Sequence, residues 1–212
     1  MLKQHLLLLA HGAGAGINSD FMKSIVHELN DTGLQTTSFN FPYMKIMNET
    51  GRRRPPDRMP KLLESFHKEL RHYKTKYPQT KIIIGGKSMG GRVASLLTAQ
   101  LEERNEDLIA ACVCLGFPFH PPKKPEKYRG EHLENLKTPT LILQGDRDTM
   151  GTKAEVEKYR LSKSVCVKYI PDGDHSFTPR VRSGRTLEEN VAMIRESIID
   201  FVNALPNQVA RK

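Results

Sequence analysis

Six short apolar runs recur along the chain, each separated from the next by a longer stretch, and this alternation constrains the fold more than any other feature. The runs cover residues 5–10, 35–41, 81–85, 109–115, 140–144 and 165–170. Several are apolar almost without interruption, as expected of strands covered on both faces in a parallel sheet. Helical spacing fills the gaps. Phe21, Met22, Ile25, Val26 and Leu29 form one stripe; Met59, Leu62, Leu63, Phe66, Leu70 and Tyr73 form a second; Val93, Leu96, Leu97 and Leu101 form a third. Thr152 with Glu155, and Thr186 with Glu189, have capping-box spacing at helix starts. The second box opens a final helix with Val191, Ile194, Ile198 and Val202 facing inward. The pattern predicts one α/β domain over residues 1–212: a single doubly wound, mainly parallel six-stranded sheet with helices on both faces. Irregular stretches at 42–57, 116–136 and 171–184 each follow a strand. Each is therefore expected at the carboxyl edge of the sheet, where open α/β sheets bind ligands.

Composition narrows the partners. A chain of 212 residues is enough for one well-cored domain and short for two. The net charge of +9 invites a nucleic-acid reading. The cations are scattered among 24 acids, however, only Arg52-Arg53-Arg54 forms a tight run, and no aromatic ladder accompanies it. Nucleic acid is thus a weak candidate, and a solvated basic surface accounts for the charge. Three cysteines (Cys112, Cys114 and Cys166) show neither a disulfide framework nor zinc spacing, so no metal is expected and a reducing, cytoplasmic location is. The opening "MLKQHLLLLAHGAGA" reads as a buried strand, because its apolar core is shorter than the ~7 to 15 residues of a signal peptide. No run approaches the ~20 apolar residues of a membrane span, so no membrane association is expected.

"IIIGGKSMGGR", residues 82–92, supports two different chemistries. Gly86-Lys87-Ser88 is the tail of a phosphate-binding loop, which requires G-x-x-x-x-G-K-[ST]. The first glycine would stand at position 81, which is Lys81, and the next three residues are isoleucines of a strand interior. The phosphate loop fails at its first position. Gly86-Lys87-Ser88-Met89-Gly90 is also a G-x-S-x-G elbow, and here every part fits: a strand before the serine and a helix from Gly90-Gly91 after it. The two glycines are needed because side chains there would collide across the tight strand–helix turn. A serine hydroxyl needs a base, and the base an orienting acid. "TLILQGDRDTMGT" places Asp146 and Asp148 just past the next-to-last strand, and "VKYIPDGDHSF" places His175 just past the last. Strand ends bring all of these to the edge that holds Ser88.

These motifs together resemble the α/β-hydrolase superfamily over residues 5 to about 205. "LLLLAHGAGAG" resembles its His-Gly oxyanion loop, "GKSMGGR" its nucleophile elbow, "LQGDRDTMG" its acid loop and "DGDHSF" its histidine loop. "HGAGAG", "FPY", "GRRRPPDR", "GKSMGGR" and "GFPFHPPKKPEK" resemble more narrowly a small branch of bacterial predicted hydrolases with eukaryotic relatives, one of them a subunit of a chromatin-acetylating complex. The resemblance implies a cofactor-free serine hydrolase with Ser88 as nucleophile and His175 as base. Its G-x-x-D pattern selects Asp148 as the acid, leaving Asp146 to brace the loop. It also implies an oxyanion hole made by the N–H groups of Met89 and Ala13. Many members carry a helical cap between the sixth and seventh strands. Here residues 116–137 are short and hold Pro118, Pro121, Pro122 and Pro125, so no cap domain is expected and Phe117 and Phe119 are placed to line a shallow pocket.

The implied substrate is a small acyl ester. Arg52, Arg53 and Arg54, stiffened by Pro55-Pro56, have two readings: they tie their loop to Asp57, Glu49 or backbone carbonyls, or one faces the cleft and receives an anionic group of the substrate. A rival reading stays open as well, a non-catalytic module of the same fold that engages a protein partner.

Overall fold

A computed structural model describes residues 2–206. In chain order the elements are β1 (His5–Ala10), α1 (Asp20–Asp31), β2 (Gln35–Phe39), α2 (Pro42–Thr50), α3 (Met59–Lys76), β3 (Lys81–Lys87), α4 (Met89–Glu103), β4 (Ala111–Leu115), β5 (Thr140–Gly145), α5 (Lys153–Val156), β6 (Val165–Ile170) and α6 (Leu187–Ala204). The strands form one sheet in the order β2-β1-β3-β4-β5-β6, and every pair is parallel. All six apolar runs are strands. The first and last match in full and the other four shift by one or two residues; β3 runs on to Lys87, which carries the chain directly into the serine turn.

The continuous apolar runs are explained by what covers them. Leu6, Leu8, Ile82, Ile84, Cys112 and Ile142 join one buried cluster with Leu62, Phe66 and Leu97 from α3 and α4. The alternate residues Leu7, Leu9, Ile83, Val113, Leu141 and Leu143 join a second with Ile25 from α1 and Ile194 and Ile198 from α6. Each strand side chain thus serves one face or the other by the two-residue period of a strand. Both capping boxes form, at Thr152 and at Thr186.

One stretch differs from the sequence expectation. The second strand stops at Phe39, and Pro42–Thr50, expected to be irregular, is the helix α2. Pro42 begins this helix instead of breaking anything, because a first-turn residue needs no N–H and its fixed φ suits the helix. Gly51, in the left-handed conformation, closes it. Between β4 and β5 the chain forms only turns and a short 3-10 segment, Glu131–Glu134, so no cap domain stands over the sheet. Among the described residues no helix is long and apolar enough to cross a membrane.

The strand order reverses between β1 and β3, since β2 lies outside β1 while β4 to β6 follow β3. A crevice opens beyond the carboxyl ends of strands at such a switch point. The loop after β1 and the turn after β3 flank it.

Candidate active site

Ser88 stands between β3 and α4 with φ 52 and ψ −116, a conformation that L side chains rarely adopt. The turn is enforced from both sides. Ser88 N–H donates to the carbonyl of Leu115 at the end of β4, at 2.8 Å. A Cβ on Gly86 would lie 2.5 Å from the Ala10 carbonyl oxygen and 2.6 Å from the carbonyl carbon of Gly90, so both glycines are required by close backbone approach. The strain holds the hydroxyl out at the sheet edge.

His175 Nε2 lies 2.8 Å from Ser88 Oγ, and its Nδ1 lies 2.7 Å from Asp148 Oδ2. A carboxylate only accepts, so Nδ1 carries the proton of the neutral ring and Nε2 accepts the serine O–H. Asp148 is fully buried and also accepts from the Met150 N–H at 2.8 Å and from Gln144 Nε2 at 3.0 Å. The same Gln144 amide donates to the carbonyls of Gly151 and Phe117. Gln144 therefore ties the acid to the loop that follows it and to the loop after β4. Sequence reasoning missed it; a lone polar residue near the carboxyl end of a buried strand was its only signal.

The two aspartates of the acid loop separate cleanly. Asp148 meets His175, whereas the Asp146 carboxylate makes no hydrogen bond among the described residues and has one oxygen fully buried. The expectation that the Asp146 side chain braces the loop is not met. Arg147 does so instead, donating to the Asp172 carbonyl at 2.7 and 2.9 Å and pairing with the Asp172 carboxylate at 3.1 Å. Asp172, held by Arg180 first and Arg147 next, has its carboxyl pushed down to about 2.

The loop after β1 is clamped from beneath. His11 is buried; its Nε2 accepts the Phe41 N–H at 3.1 Å, which leaves Nδ1 as the donor to the Gly12 carbonyl at 2.6 Å. An Nε2 that accepts belongs to a neutral ring, and burial, against the Gly12 hydrogen bond, lowers the pKa of this imidazole in the same sense. The Tyr43 hydroxyl, brought in by α2, faces the carbonyls of Ala13 at 2.9 Å and Gly12 at 3.2 Å. Burial, with the charge of Asp57 second, pushes that phenol up to about 12. In a trans peptide the Gly12 carbonyl and the Ala13 N–H point in opposite directions. Holding the carbonyl on the Tyr43 side therefore turns the Ala13 N–H away from it.

An open cleft of about 390 Å³ lies over these groups, walled by Gly12 to Ala15, Ser19, Phe21, Met22, Lys87, Ser88, Met150, His175 and Ser176. Ala13 lies in the wall of this cleft. Met89 is the first residue of α4, whose first-turn amides have no intrahelical acceptors and receive no cap from the Ser88 side chain. Phe117 and Phe119 do not line the cleft. Both are fully buried, packed on each other with ring centroids 4.8 Å apart, and Phe119 stacks on Tyr159. The turn at Gly116, with φ 65, leads into them and they enter the α3–α4 side of the core. Phe21 and Met150 form the apolar wall instead. Phe21 was legible as part of the α1 stripe, and only its place in the first turn of that helix distinguishes it.

Arg52, Arg53 and Arg54 are exposed, their side chains have no partner among the described residues, and they are not part of the cleft wall. Asp57, one expected partner, instead accepts from the Tyr43 N–H and pairs with Lys61. Among the described residues no group of three or more His, Cys, Asp or Glu side chains could hold a metal ion.

The sheet, the strained serine turn and the lidless edge define the class, and the comparison with known families agrees. A model of the alpha/beta hydrolase domain matches residues 3–203, and the chain belongs to that family. Its fold is shared with Est1E from Butyrivibrio proteoclasticus (17% identity, 96% of this chain and 90% of that one, TM-score 0.70). It is shared also with XC6422 from Xanthomonas campestris, described as an α/β serine hydrolase without lid (15% identity, 98% and 85%, TM-score 0.71). A dienelactone hydrolase from Anabaena variabilis is similar over 93% of this chain and 86% of that one, at 20% identity and TM-score 0.64.

Proposed function

We propose that this protein is a serine hydrolase that cleaves an ester or similar acyl bond through an acyl-enzyme intermediate. The observation that carries the reading is the hydrogen-bonded line from Asp148 through His175 to a strained Ser88 at the floor of an open cleft. Ser88 Oγ attacks the acyl carbonyl while His175 Nε2 takes its proton, and Asp148 holds the resulting imidazolium. Negative charge gathers on the carbonyl oxygen, for which the N–H groups of Met89 and Ala13 are the donors, each contributing roughly 3 kcal/mol. The imidazolium gives its proton to the leaving group. Water, deprotonated by the same imidazole, then releases the acid and restores Ser88. Protein groups and water suffice for every step, so no cofactor enters.

The substrate is a small one. The cleft is open, its apolar wall is limited to a few side chains, and no cap lengthens it, which favours short acyl groups over long chains. The dienelactone hydrolase among the structural neighbours agrees with this class of chemistry. Free cysteines throughout support a reducing, cytoplasmic setting.

Hydrolysis of a panel of acyl esters graded by chain length tests the reading. Two- to four-carbon acyl groups should turn over fastest, and Ser88→Ala should lower kcat/KM by at least about 10³-fold. A folded wild type that hydrolyses none of them would favour the non-catalytic module.

A further inference from the structure

Lys87 is left without a role by the elbow, which needs only the glycines and the serine. It ends β3 immediately before Ser88, and its side chain crosses to the histidine loop. Nζ donates to the His175 carbonyl at 2.6 Å and lies over the ring of Phe177 at 5.2 Å and of Phe21 at 5.9 Å. A carbonyl and two ring faces thus surround the ammonium, and no carboxylate lies within ion-pair distance among the described residues. Gly116 makes the room: a Cβ there would stand 2.9 Å from Nζ, 3.2 Å from the His175 carbonyl oxygen and 3.6 Å from His175 Nδ1. Nζ and Nδ1 are therefore at most roughly 7 Å apart, close enough for the charge to be felt at the ring. Burial lowers the lysine to about 8, against the opposing pull of Asp148 and then Asp174. Methionine would fill the same apolar slot without that cost.

We propose that Lys87 is a positioning residue for the Ser88–His175 pair: its ammonium fixes the main chain of His175 so that Nε2 stays on Ser88, and sets a positive charge beside the imidazole. The inference rests on the hydrolase reading above. Two consequences separate the two parts of the role. The hydrogen bond acts on geometry, so its loss lowers the rate of Ser88 attack and leaves substrate binding nearly untouched. The ring faces the Asp148 carboxylate through Nδ1, and Asp148 and Asp174 are the acids that act on Lys87; the ammonium opposes protonation of the ring, so its loss moves the acid limb of reactivity to higher pH.

The test uses the rate of Ser88 labelling by a fluorophosphonate across pH 5 to 9 in wild type, Lys87→Met, Lys87→Gln and Lys87→Arg, each checked for a cooperative melt. Lys87→Met should label roughly tenfold to a hundredfold more slowly with KM for an ester changed little. Its acid limb should sit roughly half to one pH unit higher. Lys87→Gln, which keeps a donor but no charge, should recover much of the rate and retain the shifted limb. Lys87→Arg should restore the limb. If Lys87→Met does not fold, the glutamine variant carries the charge test alone. A folded Met or Gln variant with wild-type rate and limb overturns the proposal and leaves Lys87 as packing. If wild type is not labelled at all, the hydrolase reading is what fails; NMR titration of the His175 ring in the same proteins then reads Lys87 directly. A ring titration unchanged between wild type and Lys87→Gln overturns the inference in that case too.

Discussion

Two serine–histidine pairs share one spacing and differ in everything else. Ser88 Oγ and His175 Nε2 are 2.8 Å apart, and so are Ser95 Oγ and His132 Nε2, two turns further along the same helix. Behind His175 stands the carboxylate of Asp148; beside His132 stands the guanidinium of Arg92. Ser95 is fully buried in a helical conformation and spends its proton on the Arg92 carbonyl at 3.0 Å, so His132 must be the donor between them. At the first pair the proton runs from serine to histidine. Burial, and Arg92 after it, drives the His132 imidazole down to about 4, so it is neutral across the physiological range. Contact with a histidine is therefore not enough to make a serine a nucleophile. The third partner and the backbone of the serine separate the pair proposed to do chemistry from the one that packs a helix.

The largest difference expected between the pairs is in turnover. His175→Ala should remove ester hydrolysis by about 10³-fold or more, whereas Ser95→Ala should leave kcat/KM within about threefold. A strong loss in the Ser95 variant, with an intact fold, would break the comparison.

The next contrast lies within the acid loop. Asp148→Asn keeps the shape but offers His175 the wrong partner, and kcat should fall by about 10⁴-fold. Asp146→Asn, at a carboxylate with no hydrogen-bond partner among the described residues, should stay within about tenfold. Steady-state kinetics of the two variants decides this, and the reverse ranking would move the acid to Asp146.

His132 writes its difference into stability. Its folded value lies below the ordinary 6.5, so its contribution is complete above pH 6.5 and is lost as pH falls toward 4. Denaturant unfolding at pH 7 and pH 4.5 should show wild type losing about 1 to 3 kcal/mol more than His132→Gln over that interval. Parallel losses in the two proteins would mean that the ring is not held neutral by burial.

How much of this was legible follows from what the signals are. The strands and the inward faces of α1, α3, α4 and α6 were readable because burial on two sheet faces, or along one helical stripe, writes a period into the residues. Ser88, Asp148 and His175 were readable because strand ends bring them together whatever the loops do. Helix α2 was not: Pro42 looks like a breaker until its place at the first turn is known, and only Tyr43 and Met44 of that helix are buried. Nor was the fate of Phe117 and Phe119, which depends on the turn angle at Gly116 and leaves no periodic trace. Gln144, His11 and Lys87 reach Phe117, Phe41 and His175, groups far away in the chain, through hydrogen bonds that no spacing announces.

The smallest expected effect belongs to Arg52, Arg53 and Arg54. Exposed and away from the cleft wall, they can act only through the long-range field. Replacing all three by glutamine should reduce the preference for an anionic over a neutral ester by less than about threefold at low salt, and by nothing measurable once salt screens the field. A larger change that survives salt would put one of them in contact with substrate.

The central claim is that Ser88, alone of the two histidine-bonded serines, is armed. Peptide mapping by mass spectrometry after fluorophosphonate treatment asks this directly. The account predicts a single adduct, on Ser88, at close to one per chain, absent from Ser88→Ala and His175→Ala and undiminished in Ser95→Ala. A folded wild type with no adduct, or with its adduct on any other residue, would contradict it.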